Sequence, residues 1–158
     1  MPAKWTWGGA ALCGAALLAV GSPRVTGAQT PDTLRFTLVA PDSVRPGEAV
    51  AIALRLTNST DRAVELYLTG RSITFDIVVA RPDGQIVWRR LQHVPTQQIL
   101  QVRTLAPGET LELTDRWQQR TDSGTPVVPG DYTVTGVIPT DRQPLRSAPT
   151  RLRIMSRR

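Results

Sequence analysis

From about residue 33 onward, apolar and polar residues alternate with a period of two. Leu34, Phe36, Leu38 and Ala40 alternate with Thr33, Arg35 and Thr37. Val50, Ile52, Leu54 and Leu56 share one parity, opposite Ala49, Ala51, Ala53 and Arg55. Val64, Leu66 and Leu68 oppose Glu65 and Tyr67, and Ile73, Phe75, Ile77 and Val79 oppose Thr74, Asp76 and Val78. Ile86 and Trp88 share a parity in 85–90. Leu111, Leu113 and Trp117 do so in 110–118, and Tyr132, Val134, Gly136 and Ile138 in 131–138. Leu152 and Ile154 close the series, opposite Arg151 and Arg153. Side chains on a strand point alternately to two faces, so each run predicts a strand with one face on a core and one in water. Asp115 falls on the inward parity of its run and calls for an arginine or backbone partner. Residues 95–102 fit a strand or a short helical turn.

Turn residues separate the runs. Arg45-Pro46-Gly47-Glu48, Asn58-Ser59-Thr60-Asp61, Ala106-Pro107-Gly108-Glu109 and Val128-Pro129-Gly130-Asp131 are four of them. Arg81-Pro82-Asp83-Gly84 is the strongest hairpin signal: proline presets φ at the second position, and Asp-Gly tolerates the rest. About eight short strands at this spacing predict an all-β fold. The long connections at about 91–98 and 118–130 suit strands crossing between two sheets, so an antiparallel sandwich is expected rather than a closed barrel. No linker divides the chain.

The first 28 residues do not join this pattern. Lys4 is followed by an apolar run from about Trp7 to Val20, then by Gly21, Ser22 and Pro23. Thr26 and Ala28 stand at −3 and −1 of a cleavage before Gln29. This is the order of a secretory signal peptide. The run is shorter than the ~20 residues needed to span a bilayer, so no transmembrane span is expected after cleavage. Residues 1–28 are therefore read as a bacterial-type signal and 29–146 as the sandwich domain. Residues 147–158 hold the last strand and a basic tail. The expected location is periplasmic or extracellular. About 130 residues would remain, enough for a core without staples. Cys13 is the only cysteine and lies inside the signal, and Leu12 beside it is wrong for lipidation.

The net charge of +6 is concentrated at the C-terminus. Arg146, Arg151, Arg153, Arg157 and Arg158 lie there with no acid among them. Aromatic residues are not interleaved with them as a stacking platform requires, so a nucleic-acid partner is not expected.

Candidate chemistry is sparse. His93 is the only histidine. It has no cysteine and no second imidazole to make a metal site or a nucleophile pair. Ser123-Gly124 lacks the flanking pattern of a nucleophile elbow. Glu109 and Glu112, three apart on a strand, face opposite ways. Asp76 and Asp115 are read as structural acids. Neither metal nor cofactor nor catalysis is expected. Surface recognition remains, and loops on a rigid scaffold carry it most often. Two segments are candidates. Arg89-Arg90-Leu91-Gln92-His93-Val94-Pro95 offers Arg89, Arg90, Leu91 and His93. Gln118 to Pro126 offers Arg120, Asp122 and Ser123.

A set of short motifs resembles the BsuPI family, the intracellular proteinase inhibitor domain. Leu56-Thr57-Asn58-Ser59 followed by Val64-Glu65-Leu66 resembles its opening. The likeness continues in Thr74-Phe75-Asp76-Ile77-Val78-Val79 and Asp83-Gly84-Gln85-Ile86-Val87-Trp88-Arg89. It runs on through Leu105-Ala106-Pro107-Gly108-Glu109, with Trp117 eight residues beyond, to Val128-Pro129-Gly130-Asp131-Tyr132-Thr133-Val134. Roughly residues 50–138 are covered. The resemblance implies an immunoglobulin-like sandwich and inhibition of a serine protease. It also implies that Trp88 and Trp117 are core aromatics and that Gly84, Gly108 and Gly130 hold turns. No reactive site maps across with it. One feature departs from the family: its named inhibitor acts inside the cell, whereas this chain begins with an export signal. The expected partner is a protein, an extracytoplasmic serine protease first. The alternative is a structural or adhesive envelope module, and a hydrolase built around His93 stands last.

Overall fold

The alternating runs become strands in the computed structural model, which describes residues 33–95 and 99–156. The proposed signal segment, the cleavage before Gln29, Cys13, Arg157 and Arg158 lie outside the described residues. In chain order the strands are β1 (Leu34–Val39), β2 (Ser43–Val44), β3 (Val50–Asn58), β4 (Val64–Thr69), β5 (Asp76–Ala80) and β6 (Ile86–Arg89). There follow β7 (Leu100–Leu105), β8 (Thr110–Trp117), β9 (Gly130–Ile138), β10 (Leu145–Arg146) and β11 (Thr150–Ile154). The eight predicted runs are β1, β3, β4, β5, β6, β8, β9 and β11. The ambiguous 95–102 segment contributes β7, and β2 and β10 are two-residue additions. Among the described residues there is no helix long and apolar enough to cross a membrane.

The strands form an immunoglobulin-like sandwich. One sheet has the order β1-β3-β8, and the facing one β2-β11-β9-β5-β6 with β10 attached to β9. A two-stranded sheet, β4-β7, stands beside them. All pairings are antiparallel except β2 with β11. Register follows the hydrophobic pattern: Leu38 pairs with Leu54, Phe36 with Leu56 and Leu54 with Leu113. The inward parity of β1, β3, β9 and β11 is buried as expected, with Leu54, Leu56, Val134 and Ile138 fully enclosed. At Gly136 the packing is so close that a Cβ would collide with the Leu54 methyl groups. A side chain there has no room in a close-packed interior.

Two expectations are corrected. Ile86 and Trp88 do not share the core face. β6 carries a bulge: Val79 pairs with Trp88 but Ala80 pairs with Ile86, leaving Val87 as the extra residue. A one-residue slip moves side chains to the other face. Val87 is therefore buried, while Ile86 is 43% exposed. The run 73–79 also starts late. Ile73 sits in a turn closed by Thr74 N–H to the Thr69 carbonyl (2.9 Å), and the strand begins at Asp76.

An aromatic column joins the sheets at one end. Trp117, 1% exposed, stacks on Trp88 with ring centroids 6.2 Å apart, and meets Tyr132 edge-on at 5.9 Å. The Tyr132 hydroxyl donates to the Val128 carbonyl four residues upstream, at 2.6 Å. This is the tyrosine corner of immunoglobulin-like sandwiches. Burial pushes the Tyr132 phenol pKa above its ordinary value, opposed in part by the positive charge of Arg81 and a hydrogen bond with it.

Candidate binding surface

Trp117 ends β8, and the chain then makes the longest excursion between strands at this end of the sandwich. Gln119 governs its start. Gln119 is buried and adopts φ of 53°, a left-handed conformation that is uncommon outside glycine. Its amide explains why the chain holds it there. Oε1 accepts from Gly47 N–H at 2.9 Å, and Nε2 donates to the carbonyls of Arg45 and Glu48, both at 2.7 Å. A single side chain thus ties the excursion to the Pro46-Gly47 turn. Sequence reasoning missed this role, because an amide between Gln118 and Arg120 carries no sign of which distant turn it will reach.

Beyond Gln119 the segment closes on itself. Thr121 N–H donates to Thr125 O and Gly124 N–H to Thr121 O, both at 2.8 Å. Arg120 bridges to Pro126, and its Nη1 donates to Gly124 O at 2.7 Å. The hydroxyls of Thr121 and Ser123 bond at 2.8 Å. Trp117 Nε1 donates to Arg120 O at 2.8 Å, and Val127 N–H returns to Gln119 O at 2.9 Å. The result is a small closed tip standing on the aromatic column.

The other candidate loop is brought against this tip. Asp122 N–H donates to Val87 O at 3.1 Å, and its Oδ1 accepts from Arg89 N–H at 2.8 Å. His93 Nε2 lies 3.2 Å from Asp122 O, a contact that requires the proton on Nε2. The two segments form one surface joined at Asp122. Arg89, His93, Arg120 and Ser123 are exposed on it, and Asp122 is half-buried.

Arg90 and Leu91 turn the other way. Arg90 Nε pairs with Asp115, the inward-parity acid that called for such a partner. Its Nη1 donates to Phe75 O at 2.9 Å, and the guanidinium lies 3.9 Å from the Phe75 ring centroid. Leu91 N–H donates to Asp76 Oδ1 at 3.1 Å. Arg90 thus spends its fork inside the molecule and serves the surface by anchoring the loop that carries Arg89 and His93.

The remaining motif residues hold architecture. Phe75 is buried. Gly84, at φ of 86°, closes the Arg81–Gln85 turn with its N–H on Arg81 O at 2.9 Å. Pro107 and Gly108 turn β7 into β8, and Gly108 N–H donates to Asn58 O at 3.0 Å. Pro129 and Gly130 lead into β9. Asn58, wholly buried, binds that same corner: its Nδ2 donates to the carbonyls of Arg62, Leu105 and Ala106 at 2.7, 3.0 and 3.1 Å. Beside the tip runs a groove of about 630 Å³ walled by Pro46, Gln118, Gln119, Pro126 and Pro129. Among the described residues no group of three or more His, Cys, Asp or Glu could hold a metal ion.

Residues 37–143 match the family model of the BsuPI intracellular proteinase inhibitor. The chain belongs to that family. Among curated proteins none matches it. Solved structures similar to it are distant. The alkylpurine DNA glycosylase AlkC of Pseudomonas fluorescens, bound to DNA with an abasic-site analogue, is 11% identical with a TM-score of 0.44. That match covers 78% of this chain and 31% of AlkC. Dimeric latent PorU of Porphyromonas gingivalis is 14% identical with a TM-score of 0.48, over 85% of this chain and 10% of PorU. The CARDB domain of the PF1109 protein of Pyrococcus furiosus, in complex with di-metal ions, is 14% identical with a TM-score of 0.41. There 77% of this chain and 87% of the domain are covered. This chain spans less than a third of the length of the first two, and likenesses this weak bear on no functional question.

Proposed function

We propose that the protein is an exported, non-catalytic proteinase inhibitor that presents the 120–126 tip, flanked by Arg89 and His93, to the cleft of an extracytoplasmic serine protease. Family membership supports the inhibitor class. The signal-like order of residues 1–28 supports export. The observation that carries the choice of surface is the tip's internal closure. Its backbone is hydrogen-bonded to itself and fixed at its base by Gln119 and Trp117 Nε1. A loop already held in one conformation loses little freedom on binding, which is the condition for tight association through a small contact. Arg120 supplies the chemistry. One of its five donors is used on Gly124, and the others remain for a carboxylate in a protease specificity pocket.

The test begins with protein recovered from the extracytoplasmic fraction, its N-terminus read by mass spectrometry and expected at Gln29. That protein, at micromolar concentration, is assayed against a panel of serine proteases with acidic and apolar specificity pockets. Slowed turnover by an acidic-pocket member, relieved in Arg120→Ala, is the expected result. If no protease in the panel slows, the inhibitor reading is wrong.

A further inference from the structure

In the β4-β7 sheet, no strand among the described residues pairs with the outer edge of β7. Gly70 N–H donates to Ile99 O at 2.7 Å, directly before β7. In an antiparallel ladder bonded and non-bonded pairs alternate. Ile99, Gln101, Arg103 and Leu105 therefore direct their main-chain groups to β4. Leu100, Val102 and Thr104 direct theirs outward. The far side of β4 agrees with this phase: Tyr67, opposite Val102, turns its carbonyl away from β7 and accepts from Asp141 N–H at 3.2 Å.

The side chains along this edge do nothing to discourage pairing. Leu100 and Val102 are 55% and 56% exposed, and Tyr67 is 40% exposed on the same face. Soluble proteins commonly guard such edges with charge or proline. β8, which ends the other sheet, carries more charge along its length: Glu112, paired with Arg55 at 2.8 Å, Asp115 and Arg116. On β7 the single charge is Arg103, and it is held by Glu109 at 2.7 Å.

We propose that the β7 edge is a dimerisation site, where a second copy of this chain adds its own β7 antiparallel about a two-fold axis at Val102. The strand is complementary to itself in that register. Val102 faces its counterpart, Leu100 faces Thr104, and Gln101 faces Arg103, so no like charges meet. About six main-chain hydrogen bonds form between outward groups that have no strand partner among the described residues. The apolar row from Tyr67 through Val102 becomes continuous across the axis. The sheet grows from two strands to four, and a two-stranded sheet is marginal by itself whereas larger ones are stable. A two-fold contact also closes on itself and stops at the dimer. This inference does not depend on the protease reading, since β7 lies outside the tip surface and its readout is mass.

Sedimentation velocity of the purified protein between about 1 and 100 μM tests it, with a dimer expected to fill in as concentration rises. Val102→Lys sets two positive charges opposite each other at the axis and is expected to raise the dimer dissociation constant by roughly tenfold or more. Val102→Thr keeps the β-branched shape and should preserve the dimer. Circular dichroism of both variants, unchanged from the parent, shows that the exposed substitution leaves the fold intact. A chain that stays monomeric at 100 μM overturns the proposal, and so does a dimer indifferent to Val102→Lys.

Discussion

The 118–126 tip and the β4-β7 sheet are both exposed, yet they meet solvent in opposite ways. The tip has turned its backbone inward: Thr121, Gly124, Asp122 and Val127 all place their amides on carbonyls of the protein. What it shows to a partner is side chains, Arg120 and Ser123 above all. The β7 edge has no strand partner for its outward main chain among the described residues and shows a row of aliphatic groups with it. Side-chain recognition selects a particular sequence, whereas main-chain recognition selects an extended conformation and a register. One domain thus carries two kinds of surface, and a substitution should disturb them differently.

The largest difference is expected at Gln119. Gln119→Ala removes three hydrogen bonds at the base of the tip and retains an unfavourable left-handed backbone. A loss of about 2–3 kcal/mol in denaturant unfolding is expected. Gln119→Gly loses the same bonds but relieves the backbone, so it should cost about 1 kcal/mol less. Equal losses in the two variants would show that the backbone at 119 is not strained.

Tyr132→Phe is the next in size. It frees the Val128 carbonyl at the exit of the tip, for about 1 kcal/mol at neutral pH. It also changes the pH profile. A phenol whose folded pKa is raised contributes stability that is complete below the unfolded value near 10 and lost as pH climbs through the folded value. The parent should therefore lose more stability than Tyr132→Phe as pH rises above about 10, measured by urea unfolding at each pH. Parallel profiles would refute the contribution of this group.

The smallest effect belongs to β7. Leu100→Thr, at a position more than half exposed, should change the unfolding free energy measured well below the dimerisation range by less than about 0.5 kcal/mol. A larger loss would mean that β7 is packed, and the contrast between the two regions would fail.

Much of the sandwich was legible because burial is periodic. In β1, β3, β9 and β11 a plain period of two marked the inward apolar row, although it missed Asn58, read as a turn residue, and Val137, buried on the other parity. The inward parity of Asp115 announced a partner that proved to be Arg90. The same reasoning failed at Ile86, because a bulge is set by what the neighbouring strand needs and leaves the local alternation unbroken. For the surface, both candidate loops could be named from their length and polarity. Their union could not. It depends on Asp122 meeting Arg89, 33 residues earlier, and on Gln119 reaching Gly47 across 72. Such contacts are consequences of the fold and leave no local trace.

The parallel pairing of β2 with β11 governs the order of assembly. Thr150 Oγ1 reaches back to Leu38 O across 112 positions, and Arg153 N–H to Asp42 O just beyond. Contacts this distant close slowly, because the entropy of bringing the ends together comes before any reward. A ribosome or a translocon releasing the chain from its N-terminus would leave β9 paired with β5 on one side and open on the other until β11 had emerged. The arginine-bearing strand is the fastener of the second sheet, and the sandwich can be completed only once that strand has been made and has slotted between β2 and β9.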